Sequence, residues 1–368
     1  MVRRSFDYSL LIITIILVLF GIVMVFSASY YYAGHSANTN YNEYYYFWKQ
    51  VSGAAIGVVA MIAAMFFDFN RYKKLRFWIL GAGFVLMLLV FVPGIGIELN
   101  GSRRWVNLYF LDLQSIEVWK FALIVFMAAG ISINADRMKQ FKYGMLPYLV
   151  LLGVTGILLF LQPNFSAIVT IALLVFVMLL VGGVKLSHFA LTGAAGLGVG
   201  VIGMVATKYR MDRIFAFLDP WKYSSDESYQ LVQSLYSIGS GGLFGLGLGN
   251  SRQKYLFLPY RESDTVFAIV AEELGFVGAM LVIIAFAFLI WRGVRIALRA
   301  PNTFGMLLAT GITAVIAIQV LINIGVVTGS VPPTGVSLPF ISAGRTSLII
   351  FMGCIGVLLN ISRQSHPA

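Results

Sequence analysis

Asp264 stands at the outer edge of a long apolar run, with Glu272 and Glu273 eight and nine residues further in. A carboxylate at an open helix end is stabilised by the positive end of the helix dipole, so it reads as a cap. Beside cations it also reads as a general base. Cations precede it: Lys208, Arg210, Arg213, Lys222, Arg252, Lys254 and Arg261 all fall within 208–264. That density calls for an anion, either lipid headgroups or a phosphate-bearing substrate. At about 1.5 Å per residue Glu272 lies roughly 12 Å deeper than Asp264, where it either organises the interior or touches substrate; the same choice holds for Glu273. A further charged pair, Glu117 and Lys120, is three residues apart on one face of another apolar run. Its readings are an internal ion pair and a polar substrate contact.

Two irregular stretches flank this region. Residues 239–249 contain six glycines in GxGxG-like spacing, but no βαβ unit surrounds them, so a nucleotide-binding fold is excluded and a re-entrant or interfacial segment is expected. Residues 331–347 hold Pro332, Pro333 and Pro339 with Gly335 and Gly344. Irregular backbone at membrane depth persists only where protein or a wet cavity covers it, so both stretches are expected to converge on one outward-facing site with Asp264.

The elements that position these residues follow from composition. Of 368 residues 59% are hydrophobic and 11% charged, with a mean hydropathy of +0.87; ordinary soluble domains carry about 25% charged residues. A soluble monomer would expose that surplus as apolar patches, which leaves an all-α polytopic membrane protein. Runs able to cross about 30 Å of hydrocarbon fall at 8–30, 50–68, 77–94, 114–133, 145–162, 166–183, 189–207, 265–290, 303–328 and 346–361, giving ten transmembrane helices. Gln162-Pro163-Asn164 makes a tight hairpin of the fifth and sixth, since proline stops a helix. With the N-terminus cytoplasmic, fourteen of the 26 Lys and Arg lie in inner segments and four in short outer ones, so both termini are placed in the cytoplasm. Residues 208–264 then form a long extracellular loop between helices 7 and 8, within a single membrane domain spanning 1–368.

The net charge of +11 belongs to this topology, and no nucleic-acid partner is expected. One cysteine, Cys354, excludes an internal disulfide, and three scattered histidines give no zinc or haem pattern. The expected metal-ligand set is empty.

Several motifs, in shared order and spacing, resemble those of the SEDS family of shape, elongation, division and sporulation proteins (the RodA/FtsW/SpoVE group). They include Asn100-Gly101-Ser102-Arg103-Arg104-Trp105, Gln114 to Lys120, and Leu161-Gln162-Pro163-Asn164-Phe165-Ser166. Tyr209-Arg210-Met211-Asp212-Arg213-Ile214 with Phe217-Leu218-Asp219-Pro220-Trp221 follows, then Leu258-Pro259 to Ala268, Glu272-Glu273-Leu274-Gly275, and Pro333-Thr334-Gly335 with Leu338-Pro339-Phe340 and Ser342. The chain departs from the family pattern at Asn164, Tyr260, Glu262, Thr265 and Arg345.

The resemblance implies an inverting peptidoglycan glycosyltransferase in the bacterial cytoplasmic membrane, polymerising lipid II for elongation, division or sporulation. Asp264 aligns with the family's essential aspartate. It would take the proton of the acceptor sugar's 4-hydroxyl while undecaprenyl diphosphate departs. Arg103, Arg104, Arg210, Arg213, Lys254 and Arg261 are candidates for the diphosphate, and Trp105 for sugar stacking or interfacial anchoring. Glu117, Lys120, Glu272, Glu273 and Ser342 are structural or line the cavity. A class B penicillin-binding protein and other cell-wall synthesis proteins are the implied partners. Mg²⁺ or Mn²⁺ could bind through diphosphate oxygens. The competing functions are a lipid II flippase and a non-catalytic scaffold.

Overall fold

The computed structural model describes residues 5–99, 102–107, 112–205, 211, 215–223, 228–255 and 257–365. Each of the ten apolar runs holds a helix. They are α1 (Tyr8–His35), α2 (Tyr45–Phe66), α3 (Phe69–Leu89), α4 (Ser115–Ile133), α5 (Leu146–Leu161), α6 (Phe165–Val181) and α7 (Leu186–Val205). After α8 (Tyr229–Gly241) come α9 (Val266–Leu298), α10 (Thr303–Val327) and α11 (Arg345–Gln364). Six of the ten are long and apolar enough to cross a membrane by length and composition, and α5 and α6 are shorter apolar helices.

Polar residues at the predicted edges start the helices. Asp7, Asp68, Asn164 and Asn302 each accept a backbone N–H from the first turn of α1, α3, α6 and α10, relieving donors that have no intrahelical partner. Asn164, a departure from the family pattern, thus still caps α6 and closes the α5–α6 hairpin.

Helices α4 and α10 are central. α4 packs on α3 and α10, α10 also on α6 and α9, and α11 runs along α2. Trp119, Leu123, Ile124, Ile312 and Ile316 fill this centre. The outer faces carry Ile12, Val59, Ile157, Leu281 and Leu321, all more than half exposed. Such a surface is at home only in lipid. At the end of α9 opposite Asp264, Arg292 grips Asp7 with two nitrogens at 3.0 and 2.6 Å, and Asp7 donates its backbone N–H to Ser362.

Three features correct the expected all-α plan. A small antiparallel sheet, β1 (Gly96–Leu99), β2 (Ser102–Asn107) and β3 (Asp112–Gln114), stands between α3 and α4. Part of the expected long loop is the helix α8, packed on α9. The eighth run is not one continuous helix, because Gly275 has φ 69° and ψ −169°, a conformation open essentially to glycine.

The backbone groups freed by that break are taken up by the glycine-rich stretch. Leu246 and Gly247 donate to the Glu272 and Glu273 carbonyls at 3.0 Å each, and Phe276 and Val277 donate to the Gly242 and Leu243 carbonyls at 2.9 and 3.1 Å. A broken helix inside lipid requires such replacement partners. Residues 239–249 therefore brace the break, where the sequence suggested that they line a site with Asp264.

A Cβ at Gly275 would lie 2.3 Å from the Gly245 nitrogen and 2.6 Å from the Leu243 carbonyl. Gly275→Ala should accordingly cost about 3 kcal/mol or more, combining backbone strain with overpacking. Gly153→Ala, in α5 with open space around its position, should be neutral or stabilising by up to about 1 kcal/mol. Thermal unfolding of the two variants in detergent compares them directly.

Candidate active site

Asp264 ends a tightly folded turn. Ser263 donates its N–H to the Tyr260 carbonyl at 2.9 Å, and the Thr265 hydroxyl donates to the Pro259 carbonyl at 2.9 Å. Thr265, where the family usually has an aromatic residue, thereby closes the turn with its own side chain. Asp264 as a whole is half-buried.

Four segments meet around it. A Cβ on Gly335 would sit 3.3 Å from Asp264 Oδ2, so the proline-rich stretch passes directly over the carboxylate. The Gly335 N–H donates to the Ser166 hydroxyl at 3.2 Å, bringing in the start of α6. On β2, Arg104 is within electrostatic reach of Asp264 and donates to the Pro163 carbonyl at 2.6 Å. Ser342 fixes the arrangement from the far end of the proline-rich stretch. Its hydroxyl donates to the Ser263 carbonyl at 2.6 Å and accepts the Leu338 N–H at 2.8 Å. Gln50 of α2 donates to the Ser342 carbonyl and accepts the Gly344 N–H.

Burial pushes the Asp264 carboxyl up to about 6, the neighbouring Glu262 charge adds to that rise, and Arg104 and a hydrogen bond from Ser263 oppose it. Glu262 is itself raised by burial, against the pull of Arg261 and a hydrogen bond from Tyr46. A carboxylate that titrates near neutrality, with a cation beside it, can accept a proton from a hydroxyl.

The remaining sequence candidates divide clearly. Glu272 accepts the Ser237 hydroxyl at 2.8 Å, the Ser251 hydroxyl at 2.6 Å and the Arg252 N–H at 2.8 Å. Glu273 accepts the Ser27 hydroxyl at 2.7 Å and pairs with Lys254 at 3.0 Å. Lys254 also donates to Ser27 and to the Gly249 carbonyl. These contacts engage all three of its N–H donors in a nearly sealed interior, so Lys254 is a structural cation where the sequence suggested a diphosphate contact. Glu117 and Lys120 pair at 2.8 Å, both almost fully buried.

Arg261 is buried over the Tyr32 ring and donates to the Lys254 carbonyl at 2.8 Å. Arg103 makes an exposed pair with Glu98 at 3.0 Å, opposite it across β1 and β2, and Trp105 is half-buried on β2. Arg345 is half-buried at the start of α11, with its Nε unpartnered. Arg210 and Arg213 lie outside the described residues. Among the described residues no three His, Cys, Asp or Glu side chains gather as a metal cage. Sequence reading passed over Asn323, an amide inside α10 that bonds both the Asp264 and Val336 carbonyls; a polar residue within an apolar run was the available signal.

Residues 8–367 match the family model for the cell cycle proteins FtsW, RodA and SpoVE. The chain is 40% identical over 365 residues to stage V sporulation protein E of Bacillus subtilis (strain 168), covering 99% of each chain. It is 38% identical over 366 residues to a probable peptidoglycan glycosyltransferase FtsW of Geobacter sp. (strain M18), again 99% of each. Among solved structures, a chain of a peptidoglycan synthase complex that coordinates polymerization and crosslinking superposes with a TM-score of 0.80 at 27% identity. The rod shape determining protein RodA of Thermus thermophilus gives 0.72 at 27% identity, and each superposition covers 99% of both chains.

The raised Asp264 carboxyl has a stability consequence. Its favourable contribution is complete below the unfolded value near 4 and is lost as pH rises through about 6. Asp264→Asn should therefore be more stable than the wild type at pH 8, by about 2 kcal/mol after allowing for partial exposure. The difference should vanish near pH 4. Thermal unfolding across that range tests it; a gap that does not change with pH would contradict the assignment.

Proposed function

Since the chain belongs to the FtsW/RodA/SpoVE family, we propose that it works as the peptidoglycan glycosyltransferase its relatives are named for, with Asp264 as the base. It is a multi-pass protein of the bacterial cytoplasmic membrane. The ten apolar helices span the bilayer with both termini in the cytoplasm, and Asp264 opens on the outer face. The observation that carries this reading is the half-buried Asp264, its carboxylate held under Gly335 and within electrostatic reach of Arg104.

The substrate is lipid II, a disaccharide-pentapeptide on undecaprenyl diphosphate. Asp264 takes the proton of the acceptor sugar's 4-hydroxyl, and that oxygen bonds to the anomeric carbon of the donor strand. The bond from that carbon to undecaprenyl diphosphate breaks, and the diphosphate leaves with the electron pair, inverting α to β. Diphosphate needs no strong acid to depart, but the charge it gains needs preorganised cations. Arg104 is the described cation closest in role to that task. Arg210 and Arg213 remain candidates from sequence. Among the described residues no three His, Cys, Asp or Glu side chains gather to hold Mg²⁺ or Mn²⁺, so a divalent ion would bind mainly through the diphosphate oxygens. A class B penicillin-binding protein, which crosslinks the product, and further cell-wall synthesis proteins are the proposed partners, in keeping with the synthase complex whose chain this one resembles.

Lipid II polymerisation by the detergent-purified protein with its penicillin-binding partner tests the reading, because flipping cannot contribute there. Asp264→Asn should lower the rate at least 100-fold, and the wild-type rate should rise with pH through about 6, as the carboxyl ionises. Glu262→Gln removes a like charge and should move that limb to lower pH. Arg104→Gln removes the opposing cation and should move it upward. Strand synthesis that survives Asp264→Asn rejects the base assignment and returns weight to a flippase or scaffold.

A further inference from the structure

Asn323 lies in the last turns of the mostly apolar helix α10 and is 1% exposed. Its side-chain nitrogen donates to the Asp264 carbonyl at 2.8 Å and to the Val336 carbonyl at 2.8 Å. Both amide hydrogens therefore leave the helix for two separate loops, the turn that ends in Asp264 and the proline-rich stretch above it. Its carbonyl oxygen, Oδ1, is buried with no partner among the described residues. An apolar side chain of similar volume would pack there without leaving that acceptor unsatisfied, so packing alone does not account for an asparagine.

We infer that Asn323 is a positioning residue for the glycosyl transfer, clamping the main chain of Asp264 to that of Val336 so that the carboxylate and Gly335 keep one fixed separation. The inference rests on Asp264 being the base. The Asp264 carbonyl lies one residue before Thr265, the cap of α9, and holding it restrains the direction in which the Asp264 side chain leaves the backbone. Ser342 makes a second clamp between the same loops, one residue earlier, on Ser263. Asn323 differs in anchoring both loops to a helix of the central bundle. Displacing a reacting group by about 1 Å can lower a rate about 100-fold while substrate contacts elsewhere survive.

The test compares Asn323→Leu with Gln319→Leu, in the purified complex with lipid II as substrate. Gln319 is also buried, one turn earlier on the same face of α10. Asn323→Leu should lower kcat about 10- to 100-fold with KM changed less than about two-fold, whereas Gln319→Leu should stay within about two-fold of the wild type. Should Asn323→Leu fail to accumulate, Asn323→Ser, which can donate to only one carbonyl, should give an intermediate kcat at unchanged KM. A wild-type kcat in the Asn323 variants, an equal loss in Gln319→Leu, or a loss carried by KM overturns the clamp. An active Asp264→Asn enzyme overturns instead the base reading beneath it.

Discussion

Inside hydrocarbon no water is at hand to satisfy a charge or a free backbone group, so each must be answered by another part of the protein. Most of the unusual features of this chain are answers to that demand. The break at Gly275 frees backbone groups, and the stretch 239–249 returns hydrogen bonds to the strand of main chain on either side of it. Glu272 and Glu273 lie just before the break, and the hydroxyls and backbone N–H groups of 251–253, with Lys254 and Ser27, satisfy them. Glu117 and Lys120 answer each other. Removing one member of such a set leaves a charge stranded, so loss of activity on mutating these residues says little about contact with substrate.

Asp264 is the exception. Among the described residues it has no salt bridge, only a cation in electrostatic reach, a hydrogen bond from Ser263 and a glycine pressed against it. Burial and Glu262 raise it, and Arg104 holds the rise in check. A carboxylate paired as tightly as Glu273 would be too weak a base to take a hydroxyl proton, and one left fully in water would gain nothing from its surroundings. The intermediate state needs a rigid frame, which the main-chain bonds of Ser342 and Asn323 supply without consuming the carboxylate itself.

The helices were legible because a membrane helix announces itself by length and apolarity alone, and short polar residues such as Asp7, Asn164 and Asn302 mark its edges. Asp264, Glu117, Lys120, Glu272 and Glu273 stood out for the same reason, as ionisable residues in apolar runs. What escaped reading depends on pairing at a distance. The strands at 96–114 are too short for an alternation signal, and their register is a tertiary matter. Gly275 sits in an unbroken apolar run whose composition fits a straight helix, and its conformation follows from the approach of Leu243 and Gly245. Lys254 is basic like its neighbours in sequence, and only the fold reveals that Glu273 claims it.

The departures from the family pattern around the base show how one geometry tolerates different side chains. Thr265 closes its turn through a hydroxyl bond to Pro259, a contact that the usual phenylalanine cannot make. Glu262 brings a negative charge beside Asp264, yet Arg261 and Tyr46 accompany it from the same turn and from α2. Arg261 is in turn stacked on Tyr32 of α1. The tuning of the carboxyl is thus spread over several side chains, while its position is fixed by backbone carbonyls that every residue type provides. A base framed in this way can keep its place while its proton affinity is adjusted by neighbours, which separates the geometric requirement of catalysis from the electrostatic one.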